Sequence, residues 1–167
     1  EDIDWNKMYV LADKNGVAGT LYYSIIKLPK ECRPNKDVFA LFEKSMRIAL
    51  GIESMQHFEI SALMDLLEQY KIEYIPLKGW LMKNYYPYPN MRTMCDIDIL
   101  INQADMGKIP KILAECGFEL EAHGANHDGY IKSGNIATEI HWGLFSEDSD
   151  YYGYFKDILQ RAENVDG

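Results

Sequence analysis

Apolar residues recur at helical spacing through the first seventy residues of the chain. A first helix is predicted to end at Asn15-Gly16, a second covers about 17–27, and a long third segment runs over about 37–70, with Gly51 as a possible interruption. The prolines of the loop at 29–35 separate the second segment from the third. The methionine and aromatic stripe of the third segment indicates helix packing.

The periodicity changes after residue 71, where short stretches of alternating or β-branched residues begin. Strands are predicted over about 72–77, 96–101, 129–132 and 135–142, the last two joined by a hairpin turn at Ser133-Gly134-Asn135. Helices are predicted from Lys78 to about Tyr86 and over about 105–115. The pattern predicts an α+β protein with a helical N-terminal region at 1–71, a mixed core at 72–145 and the start of a truncated C-terminal region at 146–167.

Composition and charge exclude several classes of partner. The apolar fraction is 47% and no apolar run approaches the roughly 20 residues of a membrane span, so no membrane contact is expected. The net charge of -9 argues against a duplex-DNA surface. The chain has an odd number of cysteines, Cys32, Cys95 and Cys116. They predict free thiols and a cytoplasmic protein. Because the chain begins with Glu1 and lacks a starting Met, we expect a piece of a longer protein.

Two aspartates in one predicted strand are the first candidate for chemistry. Asp96 and Asp98 project from the same face of the strand, while Ile97, Ile99 and Ile101 project from the other. Neighbouring carboxylates repel each other unless a cation lies between them, and Mg²⁺ prefers such oxygen ligands. An exposed strand with outward polar residues is the alternative interpretation.

Two further segments carry candidate residues. Lys78-Gly79 stands between a strand and a helix, where Gly79 would admit a phosphate to the backbone and Lys78 would add a charge; the alternative is an exposed lysine beside a helix-start glycine. Glu139 and His141 share one face of their predicted strand. If that strand lies beside the Asp96 strand, Glu139 completes a three-carboxylate cluster; otherwise Glu139 is an exposed residue and His141 a packing histidine.

Four stretches taken together resemble the uncharacterised nucleotidyltransferase family of the DNA polymerase beta-like superfamily. They are Ile75-Pro76-Leu77-Lys78-Gly79, Tyr86-Pro87, the stretch from Arg92 to Leu100, and Glu139-Ile140-His141-Trp142. The resemblance implies a nucleotidyltransferase-fold mixed sheet with helices on one side. Lys78-Gly79 stands where the superfamily usually has Gly-Ser or Gly-Gly-Ser, so the serine that usually contacts phosphate has no counterpart here.

The resemblance also implies a reaction and a set of roles. Asp96, Asp98 and Glu139 would be the catalytic acids that hold Mg²⁺ or Mn²⁺ while an NMP moves from an NTP to a hydroxyl acceptor. Charge and position, and not the resemblance, suggest that Lys78, Gly79 and Arg92 bind the phosphates and that His141 orients Glu139. The acceptor is left open among a small molecule, a protein and an RNA end.

Two other functions are compatible with the same residues. One is a non-catalytic module of this fold that binds nucleotide or a partner, which the missing serine and acidic charge favour. The other is a transition-metal hydrolase whose site would combine His123, His127 and His141 with a carboxylate, although Gly124, Asn126 and Gly129 suggest a loop at His123 and His127.

Overall fold

The structure, a computed structural model, describes residues 3–133 and 136–163 of the chain, without the side chain of Ile136. Two compact units are present, one formed by Glu1–His57 with Met82–Thr93 and the other by Phe58–Leu81 with Met94–Gly167. We call them the helical unit and the sheet unit. The domain boundaries at 1–71, 72–145 and 146–167, inferred from the sequence, stay predictions.

The helical unit is built from α1 (Trp5–Lys14), α2 (Ala18–Ile25) and the first part of α3 (Lys36–Gln69). The side chain of Asp4 accepts a hydrogen bond from Lys7 N at 3.0 Å and so caps α1. Gly16, at φ +69°, ends this first segment, as the sequence predicts. Gly51 does not interrupt α3, because the loss of about 1 kcal/mol from one helical glycine is small beside the packing of a helix of 34 residues.

Among the described residues, the sheet unit contains five strands, in the order β1-β2-β5-β4-β3. Their bounds are Tyr74–Pro76, Asp96–Ile101, Phe118–His123, His127–Lys132 and Ile136–His141 for β1 to β5 in turn. β2 pairs in parallel with β5, and every other neighbouring pair is antiparallel. The sheet is therefore mixed, as predicted, with β2 and β5 beside each other at its centre.

The edge strand β3 was not predicted from the sequence. Only Phe118 of this strand is buried, and the strand's register shifts between Leu120 and Ala122. A strand exposed on both faces has no apolar alternation, so periodicity does not reveal it. The predicted hairpin turn at Ser133-Gly134-Asn135 lies partly outside the described residues.

Short helices and 3-10 turns complete the architecture. α4 (Lys78–Lys83) follows β1, α5 (Ile109–Glu115) follows β2, and α6 (Tyr152–Phe155) lies near the C-terminal end of the described chain. Short 3-10 turns are present at Lys30–Cys32, Pro89–Met91, Gln103–Lys108 and Leu159–Arg161. None of the helices in the described parts of the chain combines the length and hydrophobicity needed to cross a membrane.

One face of the sheet packs against helices and forms the core. Isoleucines 97, 99 and 101 of β2 lie in one buried cluster with residues of the second part of α3 and of α5: Ile60, Leu63, Leu67, Ile109, Ile112 and Leu113. Because side chains alternate along a strand, the aspartates of β2 project from the other face. The predicted α+β class, with helices behind a mixed sheet, is confirmed.

Truncating a core side chain and an exposed side chain of the same size should have very different effects on the free energy of unfolding. Ile112→Ala removes a fully buried side chain from α5, and we expect a loss of about 2–5 kcal/mol in the free energy of unfolding. Leu120→Ala truncates an exposed side chain on β3 and should change that free energy by only about 0.5 kcal/mol. Urea unfolding followed by circular dichroism measures both; similar losses in the two variants would contradict the assignment of the core.

Candidate active site

Three carboxylates converge on the polar face of the sheet. The parallel register of β2 and β5 sets Asp98 beside Glu139, while Asp96 lies beside Ala137. One carboxylate oxygen from each of Asp96, Asp98 and Glu139 lies within 4.8 Å of the others. The cluster that the sequence suggested is therefore present as geometry, and this spacing allows a cation to contact all three side chains.

Asp98 is the most enclosed of the three acids, at 8% exposure. His141 Nε2 donates a hydrogen bond to Asp98 Oδ1 at 3.2 Å, and Lys78 Nζ lies 3.8 Å from Asp98 Oδ2. The hydrogen bond from His141, with the charge of Lys78, holds the pKa of Asp98 below its usual value, although burial acts in the opposite direction. Asp98 is thus kept ionised by positive or donating neighbours on both of its oxygens.

Glu139 is held from the β5 side by the same histidine. His141 Nε2 lies 3.2 Å from Glu139 Oε2, so a single imidazole nitrogen contacts two of the three acids. The Glu139 side chain is one-third exposed and the His141 side chain is nearly buried. His141 therefore has the position expected of a residue that orients Glu139, while remaining close enough to act on Asp98 as well.

Lys78 occupies an unusual backbone position. Its φ of +31° lies in the region that disfavours every residue with a side chain. The preceding residue is fixed by a hydrogen bond from Leu77 N to Asp98 O at 2.8 Å, which brings the lysine beside the acids. The lysine side chain is 74% exposed. Because α4 is only six residues long, the dipole of this helix adds little positive potential at the site. Strain of this kind is often retained at functional positions.

Gly79 has a packing role in addition to the role suggested by the sequence. A Cβ atom at this position would approach Met94 Sδ to 2.7 Å, closer than real Cβ contacts, and Met94 Cγ to 3.1 Å, tighter than most of them. A larger residue would displace Met94, which packs against the core beneath the sheet. The close approach of phosphate to Gly79 stays a prediction.

Arg92 belongs to the helical unit, directly after the turn at Pro89–Met91. Its Nε atom is buried and has no hydrogen-bond partner among the described residues. The predicted contact between Arg92 and phosphate stays a prediction.

A second group of possible ligands adjoins the carboxylates. His127 of β4 pairs directly with His141 of β5, and ligand atoms of His127, Glu139 and His141 lie within 4.8 Å of one another. His123 is not part of this group: its Nδ1 lies 2.8 Å from Asp128 Oδ1. The four-residue site that includes His123 therefore does not form as the sequence suggested. The sequence singled out His127 and Glu139 separately, and only the strand register reveals that they meet.

Comparisons with known proteins place the chain in a family. Nothing matches it among the curated proteins. One solved structure, the solution structure of the antibiotic-resistance factor ANT(2'')-Ia, is similar over 58% of this chain and 51% of that chain, with 12% identity and a TM-score of 0.48. This chain thus spans about half the length of that protein. The model of the family described as uncharacterised nucleotidyltransferases matches residues 1–167, and the chain therefore belongs to this family.

Proposed function

We propose that the protein is a metal-dependent nucleotidyltransferase that moves an NMP from an NTP to a hydroxyl acceptor. The observation that carries this proposal is the convergence of Asp96, Asp98 and Glu139 on one face of the sheet. In the proposed reaction the acceptor oxygen bonds to the α-phosphorus and the α–β phosphoanhydride bond breaks. Pyrophosphate leaves and the hydroxyl proton is lost to solvent.

The donor set fits Mg²⁺ or Mn²⁺. Three carboxylates offer hard oxygen ligands, and their oxygens are close enough to share one cation or to bridge two. The lysine beside Asp98 supplies one positive charge at 3.8 Å, which leaves the three acids incompletely neutralised. Divalent cations bound there would offset the triphosphate charge and favour ionisation of the acceptor hydroxyl.

The residues of the chain have separate roles in this proposal. Lys78, exposed and beside Asp98, contacts the phosphates when nucleotide enters. Glu139, more exposed than Asp98, faces the acceptor side of the site. His141 holds both carboxylates in place through Nε2. Asp96 completes the acidic set from the same strand face as Asp98.

The acceptor and the compartment belong to the same proposal. A chain of net charge -9 favours a small molecule, a protein or an RNA end over duplex DNA, whose binding requires many cationic contacts. Cys32, Cys95 and Cys116 are free thiols, which fits a reducing cytoplasm. A non-catalytic module of the same fold would retain the acids and bind nucleotide without turnover, and the activity experiment below separates it from the enzyme.

Metal binding should depend on the β2 aspartates. Mg²⁺ should raise the melting temperature of the protein, because an ion that binds only the folded state stabilises it. Asp96→Asn with Asp98→Asn should abolish this Mg²⁺-dependent rise. The matched control is Asp148→Asn with Asp150→Asn, an exposed aspartate pair of the same spacing. Differential scanning calorimetry measures the shift, and an equal shift in all three proteins would reject the site.

Nucleotide binding should depend on the charge of Lys78. Lys78→Ala should weaken NTP binding by about 1.5–3 kcal/mol, the range for a hydrogen bond to a charged group. Lys78→Gly should weaken NTP binding equally. The free energy of unfolding of the Lys78→Gly protein should exceed that of Lys78→Ala by roughly 1 kcal/mol, since glycine tolerates φ +31°.

The matched control for these variants is Lys71→Gly, because Lys71 also has positive φ, at +55°. It should gain stability without any change in NTP affinity. Calorimetric NTP titrations and urea unfolding distinguish the two effects. If NTP affinity is unchanged in both Lys78 variants, the lysine does not contact phosphate.

Turnover should depend on the charge of Glu139. Glu139→Gln should slow transfer by on the order of a hundredfold while leaving NTP affinity nearly unchanged, because the proposed role lies on the acceptor side. The experiment incubates the full chain with Mg²⁺ or Mn²⁺, α-labelled NTPs and cell extract as a source of acceptors. Glu121→Gln, an exposed glutamate on β3, is the control and should transfer normally.

Each outcome of the transfer experiment supports or rejects the enzyme. Transfer by the wild type and by Glu121→Gln, lost in Glu139→Gln, supports it. NTP binding without transfer under every condition would favour the binding module. Equal transfer by Glu139→Gln would remove Glu139 from the mechanism.

A further inference from the structure

A pair of histidines faces Glu139, the acid of β5. His127 and His141 lie opposite each other on neighbouring strands, and their ring centres are 5.0 Å apart. Both direct Nε2 toward Glu139 Oε2, at 3.9 Å from His127 and 3.2 Å from His141. Two imidazole nitrogens and a carboxylate oxygen therefore surround one small volume at the solvent-facing side of the sheet.

The hydrogen bonds around Asn126 determine which nitrogen of His127 carries the proton. Asn126 Nδ2 donates to Gly143 O at 2.9 Å, which leaves Asn126 Oδ1 as the atom that faces His127. His127 Nδ1 lies 3.2 Å from that oxygen and must donate its proton to it. In the neutral imidazole the lone pair is then on Nε2 and points toward Glu139. Metal-binding histidines are commonly oriented by a hydrogen bond of this kind from the other ring nitrogen.

The lone pair of His127 and the carboxylate of Glu139 are both acceptors, so a cation between them satisfies both. We propose that His127, His141 and Glu139 form a site for a divalent transition-metal ion of the Zn²⁺ and Co²⁺ class. On binding, the His141 ring changes tautomer: Nε2 loses to solvent the proton that it donates to Asp98, Nδ1 takes up a proton from solvent, and Nε2 becomes a ligand. Nothing is oxidised or reduced.

The distances match such an ion. Tetrahedral ligands at about 2.0–2.1 Å from Zn²⁺ are about 3.4 Å from one another. The two distances from Glu139 Oε2 to the histidine nitrogens, 3.2 and 3.9 Å, bracket this value, and ligand atoms of all three residues lie within 4.8 Å of one another. Imidazole nitrogens favour Zn²⁺ and Co²⁺ over Mg²⁺, which prefers oxygen. The fourth ligand position would be open to water, since His127 and Glu139 are one-third exposed.

This histidine site shares Glu139 with the proposed transfer centre but does not rest on transfer activity. Because both sites use Glu139, a metal ion bound at one site affects metal binding at the other. An ion held by the two histidines would use a Glu139 oxygen that belongs to both groups, so Zn²⁺ at this site should compete with an oxygen-bound ion for Glu139. Metal identity would therefore regulate the carboxylate cluster through one side chain.

A Co²⁺ titration followed by visible absorption tests the site, because imidazole-bound Co²⁺ gives ligand-field bands whose intensity reports coordination. Wild type should bind one Co²⁺ with these bands, and Zn²⁺ should displace it. His127→Ala should weaken Co²⁺ binding at least about tenfold, as expected on loss of a ligand. The matched control is His123→Ala, because His123 is an exposed histidine bonded to Asp128 outside the group. Its titration should match wild type.

A second variant separates this site from the proposed transfer centre. Asp96→Asn with Asp98→Asn should retain the Co²⁺ bands while losing the Mg²⁺-dependent stabilisation. Circular dichroism checks that each variant is folded. Absence of ligand-field bands in the wild type, or an unchanged titration in folded His127→Ala, would overturn the histidine site whatever the outcome for Mg²⁺. Loss of the bands in the double aspartate variant would place Co²⁺ at the carboxylates instead, and would also overturn it.

Discussion

The parallel pairing of β2 with β5 places Asp98 beside Glu139, and the rest of the candidate site depends on this register. A shift of one residue would turn the acids of one strand into the core and the isoleucines into solvent. The apolar side of the same strands prevents that shift, because Ile97, Ile99 and Ile140 are almost fully buried against helices. The burial that stabilises the fold therefore also holds three like charges close together on the opposite face.

Holding like charges together has an electrostatic cost, and the neighbours of Asp98 offset part of it. His141 donates to one oxygen and Lys78 lies near the other, so Asp98 remains ionised although it is buried. The backbone strain at Lys78 belongs to the same arrangement, since the loop that places the lysine there is bonded to the backbone of Asp98. A cation that replaced these partners would free His141 and Lys78 for other contacts.

Sequence periodicity predicted much of the fold for a clear physical reason. β2 alternates aspartate and isoleucine because one face is polar and the other is core, and the helices of the first seventy residues carry apolar stripes. The shared face of Asp96 and Asp98 follows from this alternation alone. The proximity of Glu139 to the two aspartates depends on the pairing of β2 with β5. Periodicity does not predict that pairing, because it depends on contacts between segments that are distant in the sequence.

Other features of the site had no local signal. β3 lacks alternation because five of its six residues are exposed. The meeting of His127 with Glu139 depends on the antiparallel register of β4 and β5. A positive φ is unusual for a lysine, so the residue type at position 78 did not indicate this backbone conformation. The packing of Gly79 against Met94 likewise joins two segments that the sequence separates by a loop.

The most direct measurement is anomalous diffraction at the manganese edge from crystals grown with Mn²⁺ and a non-hydrolysable NTP. We expect an anomalous peak at about 2.0–2.2 Å from carboxylate oxygens of Asp96 and Asp98, the range for small divalent ions with oxygen ligands. The triphosphate should share that ion and approach Lys78. A nucleotide bound away from these aspartates, or bound beside them without an anomalous peak, would contradict a metal-dependent transfer centre on this face of the sheet.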